Sequence, residues 1–276
     1  MSNDSFVYSF KVIGIERKQI ASFIAEALSG EVSYAGAPSF GYHIAGWEID
    51  REGIVTTSKT QNESLRTVLD TLKTAGATAE GNGAVTLSIE GHTGNTLRNV
   101  VNLIWTKQSL IQKALGWVTN IVPAGLVKAI NAVPIDTLEE FAEVINEAID
   151  AGKIEGESEL EFDLADRTVS FGFSIASLDA DEVISFATLC QKLSEQAKHQ
   201  KFSSTKQKEA ENEKYAMRCF LLKLGFIGEE YKTERKTLLN KLNGNSAFRT
   251  PEAKQAAEAK RKPCTPEVST EGSENG

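Results

Sequence analysis

The 276-residue chain predicts an α+β fold: short antiparallel sheets or hairpins packed against amphipathic helices, ending in a C-terminal αα-hairpin and a disordered tail. Three observations carry that expectation. Apolar residues alternate through Phe6–Ile15 and then switch to helical spacing in Glu16–Leu28. Leu160, Phe162 and Leu164, then Val169, Phe171, Phe173 and Ile175, alternate with polar residues on either side of the Ala165-Asp166-Arg167 turn, as in a hairpin with one dry and one wet face. Stripes of apolar residues three and four apart recur between and after these segments.

In chain order, Ile20, Phe23, Ile24, Ala27 and Leu28 form the stripe of the first helix. Val32–Tyr34, Phe40–Ala45 and Trp47–Asp50 read as short strands, and the Asp50–Gly53 turn returns the chain through Ile54–Thr57. Asn62 starts a helix with Leu65, Val68, Leu69 and Leu72 inward, stopped by Gly76. Ala84–Ile89 is a strand, and the Glu90–Gly94 loop leads into one long helix that ends near Gly116, its stripe interrupted at Gln108. Pro123 and Pro134 punctuate an apolar connector with a short helix near Ala124–Ile130. Asp136 and Glu139 form a capping box for a helix burying Phe141, Ile145 and Ile149 and exposing an acidic face. Asp179 or Asp181 caps a helix containing Val183, Phe186, Cys190 and Leu193. This strand–loop–helix unit echoes the one at Leu87–Ile104 at a shift of 86 residues. The organisation expected is 1–116, an N-terminal α+β region; 117–135, the connector; 136–249, a C-terminal α+β region ending in a helix pair; and 250–276, a disordered tail with too little apolar surface to offset ordering entropy.

Composition excludes several classes. No window approaches the ~18 uninterrupted apolar residues of a membrane span, and Met1–Ser5 has neither a basic nor an apolar leader region, which points to a cytoplasmic protein with no membrane partner. Cys190, Cys219 and Cys264 are odd in number and lack C-x-x-C spacing, so no disulfide framework or zinc site is expected. Cys190 and Cys219 read as buried reduced thiols within apolar helical patterns. Three scattered histidines, His43, His92 and His199, do not suggest a metal site, and no cofactor and no catalytic residue is assigned.

Charge is strongly segregated. Residues 198–262 hold 16 Lys and Arg against 8 Asp and Glu, whereas residues 1–197 hold 14 against 27. Such separation creates two faces suited to partners of opposite sign. Within the basic part, Lys214–Leu224 is apolar on two sides, Gly225–Gly228 is a turn, and the next helix places Arg235 inside the stripe of Tyr231, Leu238, Leu239 and Leu242. A buried guanidinium there must find carboxylates or carbonyls. Lys232, Arg235, Lys236, Asn240, Lys241 and Arg249 are the candidate contacts for nucleic acid or a partner, extended by Lys260–Lys262. Opposing that reading, Glu229, Glu230 and Glu234 on the same helix would repel phosphate, and with the net charge of −8 they favour an αα-hairpin that closes the core, its lysines a solvated face. A second candidate is the loop with His92, Thr93 and Asn95 at a helix start, where amides can hold anions.

The stretches Tyr34-Ala-Gly-Ala-Pro-Ser-Phe-Gly-Tyr42, Ile49-Asp-Arg-Glu-Gly53, Asn99–Gly116 and above all Asn212–Arg249 resemble a family labelled "virulence-related protein", encoded on phages and integrative elements of Gram-positive bacteria. The resemblance covers most of residues 15–250. It implies a mobile-element setting and carries over no catalytic residue. Taken together, the expectation is a non-enzymatic accessory protein that binds a host or element-encoded protein. The rivals are a nucleic-acid-binding protein using the basic C-terminal helices and an enzyme with a site near His92.

Overall fold

The computed structural model describes residues 6–57, 62–116, 120–155, 158–174, 178–248, 250 and 255. One antiparallel sheet organises them, in the order β2-β3-β4-β5-β1-β6-β8-β7. Its strands are β1 (Val7–Ile13), β2 (Val32–Tyr34), β3 (Tyr42–Ile44), β4 (Trp47–Ile49), β5 (Ile54–Thr56), β6 (Thr78–Ser88), β7 (Leu160–Asp163) and β8 (Thr168–Ser174). The local hairpins were legible from alternation, but the separate short sheets expected from them are joined. β1 lies between β5 and β6, and β8 pairs with β6 from Ser88↔Thr168 to Asn82↔Ser174. Sequence regions 1–116 and 136–249 thus contribute to the same sheet.

Strand alternation sends Tyr8, Phe10, Val12, Val85, Leu87, Phe171 and Phe173 to one face, where they are buried under the helices. Ser9, Thr56, Thr86 and Ser170 occupy the other, half-exposed face, with Thr86 and Ser170 hydroxyls 2.8 Å apart. β6 is longer than the expected Ala84–Ile89. Its first half, rich in Gly and Asn, still pairs because an irregularity opposite Ser9–Lys11 takes up the extra residues, with Gly81 at φ 80°.

The helices are α1 (Arg17–Leu28), α2 (Asn62–Thr74), α3 (Gly94–Trp105), α4 (Gln108–Leu115), α5 (Ala124–Ala132), α6 (Leu138–Asp150), α7 (Ala180–His199), α8 (Glu213–Lys223) and α9 (Lys232–Asn240). The single helix expected up to Gly116 is two. The chain breaks at Thr106–Lys107, and the buried Gln108 turns its Oε1 to accept from Val122 N at 3.1 Å, tying α4 to the connector. The capping box of α6 sits one residue later than expected. Thr137 Oγ1 accepts from Glu140 N, and the Glu140 carboxylate accepts from the amides of Thr137 and Asp136. Asp179, not Asp181, caps α7, accepting from Asp181 N and Glu182 N. α9 lies against α7 and α4, and Leu238 joins the core. The tail expected to be disordered lies outside the described residues apart from Thr250 and Gln255. No helix among the described residues is long and apolar enough to cross a membrane.

Candidate functional site

Between α7 and α8 the chain runs as an extended strap, residues 200–211. Read from its residues alone, Lys198–Glu211 is a polar loop or frayed helix joining the parts. What holds it is one face of α3: Asn95 Nδ2 donates to Lys201 O (3.1 Å), Asn99 Nδ2 to Gln200 O (2.7 Å), Asn102 Nδ2 to Ser203 O (3.2 Å) and Trp105 Nε1 to Thr205 O (3.1 Å). Gln207 Nε2 returns a bond to Trp105 O at 2.9 Å. Spacings of four, three and three place these donors along one line of the helix. Asn99 and Asn102 are each 1% exposed, so their amides are satisfied by strap carbonyls rather than by water. The residues that orient the strap were visible in sequence as a polar stripe beside the apolar stripe of α3, a signal that a search for apolar periodicity passes over.

Where the strap meets α8 and the α3–α4 break, it walls a cleft of about 430 Å³. Lys107 enters from the break, Lys206 and Lys208 from the strap and Lys223 from α8; Thr106 and Ser204 are also in its lining, as is Cys219. No lining residue is acidic, and none of the four lysines has an ion pair among the described residues. Lys107 is half-buried with its Nζ 5.8 Å from the Phe220 ring centre. Burial, then the like charges of Lys208 and Lys223, push its ammonium below the usual lysine range, outweighing the opposite pull of Cys219. Four cations held together without a counter-charge are an unfavourable arrangement for folding alone and a favourable one for an anion. A larger groove of about 760 Å³ lies between α6 and the β7–β8 hairpin, but Glu161 and Asp163 line it and no cation does.

The residues singled out on α9 fare differently. Arg235 Nη1 donates to the carbonyls of Phe226 (3.1 Å) and Gly228 (2.7 Å), stapling the turn before the helix. Lys232 pairs with Glu229 at 2.9 Å, and Lys241 with Glu182 at 2.8 Å while also donating to Leu115 O. Lys236 and Asn240 are exposed, with no side-chain partner among the described residues; Arg249 and Lys260–Lys262 lie outside them. The structure does not bring this set into one constellation. α8 also departs from the two-sided burial expected of it. Met217, Phe220 and Leu221 are buried, whereas Leu222 and Cys219 are exposed, so Cys219 is an accessible thiol and not a core one. Cys190 is buried, and burial pushes its thiol up.

In the second candidate loop, His92 is 7% exposed, with Nε2 2.8 Å from Ser194 Oγ and Nδ1 3.0 Å from Thr96 Oγ1. Thr96 Oγ1 also donates to Thr93 O, an arrangement that suits a neutral imidazole donating from Nδ1 and accepting from Ser194. Burial, reinforced by Lys198, holds His92 down to about 4. Thr93 caps α3 by accepting from Thr96 N, Gly94 N donates to Asp136 O, and Asn95 is bound to the strap. The amides of Glu90, His92, Thr93 and Gly94 are all bound within the protein, and the His92 ring is buried. Neither His92 nor Ser194 lines the cleft or the groove. His43 forms a cross-strand contact with Glu48 at 3.3 Å on the exposed face. Among the described residues no group of three or more His, Cys, Asp or Glu side chains is placed to hold a metal ion.

A mixed α+β protein with a lysine-lined cleft beside a pinned strap is the class that fold and site define. No protein-family model matches this chain, and no curated protein sequence matches it.

Proposed function

We propose that the chain is a cytoplasmic, non-enzymatic accessory protein of a mobile genetic element that binds nucleic acid, and that the phosphates lie in the cleft among Lys107, Lys206, Lys208 and Lys223. The observation that carries this reading is the absence of any carboxylate in that lining, next to four lysines without ion pairs among the described residues. On this reading the cationic contact surface is not α9, whose Lys232 and Lys241 are neutralised by Glu229 and Glu182, but the strap, the α3–α4 break and the end of α8. Read as an αα-hairpin, α8 and α9 then serve to present Lys223 and to close the core. Protein neutralising phosphate releases counterions, so affinity falls with salt by about 0.7–0.9 in log–log slope per contact, about three for four lysines.

Fluorescence anisotropy with labelled DNA and RNA strands between roughly 50 and 200 mM salt tests this. The expected result is a slope near three that shrinks by about one for each of Lys206→Gln, Lys208→Gln and Lys223→Gln. Absence of binding at low salt overturns the proposal. A protein partner is a second reading, favoured by the groove between α6 and β7, with Ile145, Ile149 and Phe162 in its lining beside Glu161 and Asp163. Ile149 is 56% exposed there, an apolar surface available for contact.

A further inference from the structure

Phe202 is the most exposed large apolar side chain among the described residues, at 75%. Its exposure does not come from a loose chain. The carbonyls of Lys201 and Ser203 on either side are bound by Asn95 and Asn102, and Ser203 is 6% exposed. The strap is therefore fixed to α3 directly before and after a ring that faces solvent. Lys201 precedes it, and Lys206 and Lys208 follow along the same strap toward the cleft, all three exposed. A held-out aromatic with cations spaced along an extended backbone is the combination that binds unpaired bases: stacking needs a free base face, and the phosphates need a charged track. In a duplex the base faces are stacked on each other, which leaves phosphates and groove edges to be contacted but no free face for an aromatic ring.

Resting on the nucleic-acid reading above, we infer that Phe202 is a stacking platform for a base of single-stranded nucleic acid, whose backbone follows Lys201, Lys206 and Lys208 into the cleft. The site therefore prefers single strands to duplex. It takes its affinity for phosphate from the lysines and its preference for unpaired bases from the ring. Such stacking tolerates any base, so little sequence preference accompanies it.

The test measures anisotropy of three labelled probes: an oligothymidylate of about 20 nucleotides, longer than the roughly 4–16 that such grooves cover, an abasic strand of equal phosphate number, and a blunt duplex of equal length. The full chain is used as wild type and as Phe202→Leu, Phe202→Trp and Lys206→Gln/Lys208→Gln, each checked by circular dichroism. The expected result is tighter binding of oligothymidylate than of either other probe. Phe202→Leu removes about tenfold of that advantage with the salt slope unchanged, and Phe202→Trp restores it. The double lysine variant weakens all three probes and lowers the slope. Equal wild-type affinity for the abasic and base-bearing strands overturns the platform while leaving phosphate binding intact. So does a Phe202→Leu loss that is as large for the abasic strand, because the ring would then be supporting the strap. Failure of every probe to bind at low salt overturns both readings.

Discussion

At the scale of single residues, two side chains sit in environments that oppose their charge, for different reasons. His92 is wedged between Thr96 and Ser194 and titrates at about 4, below the ordinary 6.5 of an imidazole. Between those values the unfolded chain binds the proton and the folded one does not, so stability rises with pH. The contribution is fully present above about 6.5 and is lost as pH falls through 6.5 toward 4, by on the order of 2–3 kcal/mol. Urea titrations at pH 7, 6 and 5 are expected to show the midpoint falling, and His92→Gln to lack that part of the fall. Lys107 carries the other kind of tension, because it is crowded by Lys208 and Lys223 with no carboxylate paired to it among the described residues. Lys107→Met is expected to keep or raise the melting temperature while weakening nucleic-acid binding about tenfold, a separation characteristic of residues kept for binding at the expense of stability. Neither tension was legible in sequence. His92 reads there as an open loop residue, since its partner Ser194 comes from a helix about a hundred positions away.

At the scale of elements, boundaries that depend on neighbours in the chain were readable, and those set by distant contacts were not. The first helix, the hairpins of β3–β5 and β7–β8, and the stop at Gly76 follow from periodicity and turn chemistry. The break between α3 and α4 follows from Gln108 reaching Val122 and Trp105 reaching Thr205, contacts that local pattern does not encode. The asparagine line of α3 is the element-scale device on which the site rests. Asn99→Ala strands the Gln200 carbonyl and is expected to cost about 1–3 kcal/mol. Limited trypsin digestion should then cleave at Lys201, Lys206 and Lys208 well before wild type does. Gly94 supplies a different constraint. A Cβ there would collide with the Thr137 carbonyl and the Ile135 side chain, so α3 and the start of α6 approach closely only because this residue is glycine. Gly94→Ala is expected to destabilise by about 1–3 kcal/mol through overpacking, measured by thermal melting. The glycine of the supposed ligand loop is thus a packing residue.

At the scale of the molecule, the β8–β6 pairing and one hydrophobic cluster running from Phe6 to Leu242 tie the early and late parts of the chain together. Tyr8 stacks on Phe10 at 4.6 Å and on Phe173 at 5.6 Å, and Phe173 packs on Phe186 at 4.6 Å, so the floor of the core alternates between the two parts. A fragment of residues 1–116 would leave β6 unpaired on one side and Tyr8 uncovered. It is expected to show no near-ultraviolet circular dichroism, whereas the full chain unfolds in a single calorimetric transition. The acidic body and the basic C-terminal part meet in the fold, through Lys241–Glu182 and Lys113–Glu213, and the two clefts differ in sign, with Glu161 and Asp163 at one and four lysines, Lys107 of the body among them, at the other. By itself the sequence determined the element types, most of their ends and the segregation of charge, because periodicity, capping and net charge are properties of residues close together in the chain. Tertiary structure alone decided the strand order, the pinning of the strap and the meeting of Lys107 with Lys206, Lys208 and Lys223. Each of those closes a loop of many residues, and the contacts that offset the lost chain entropy belong to surfaces that exist only once the core has formed.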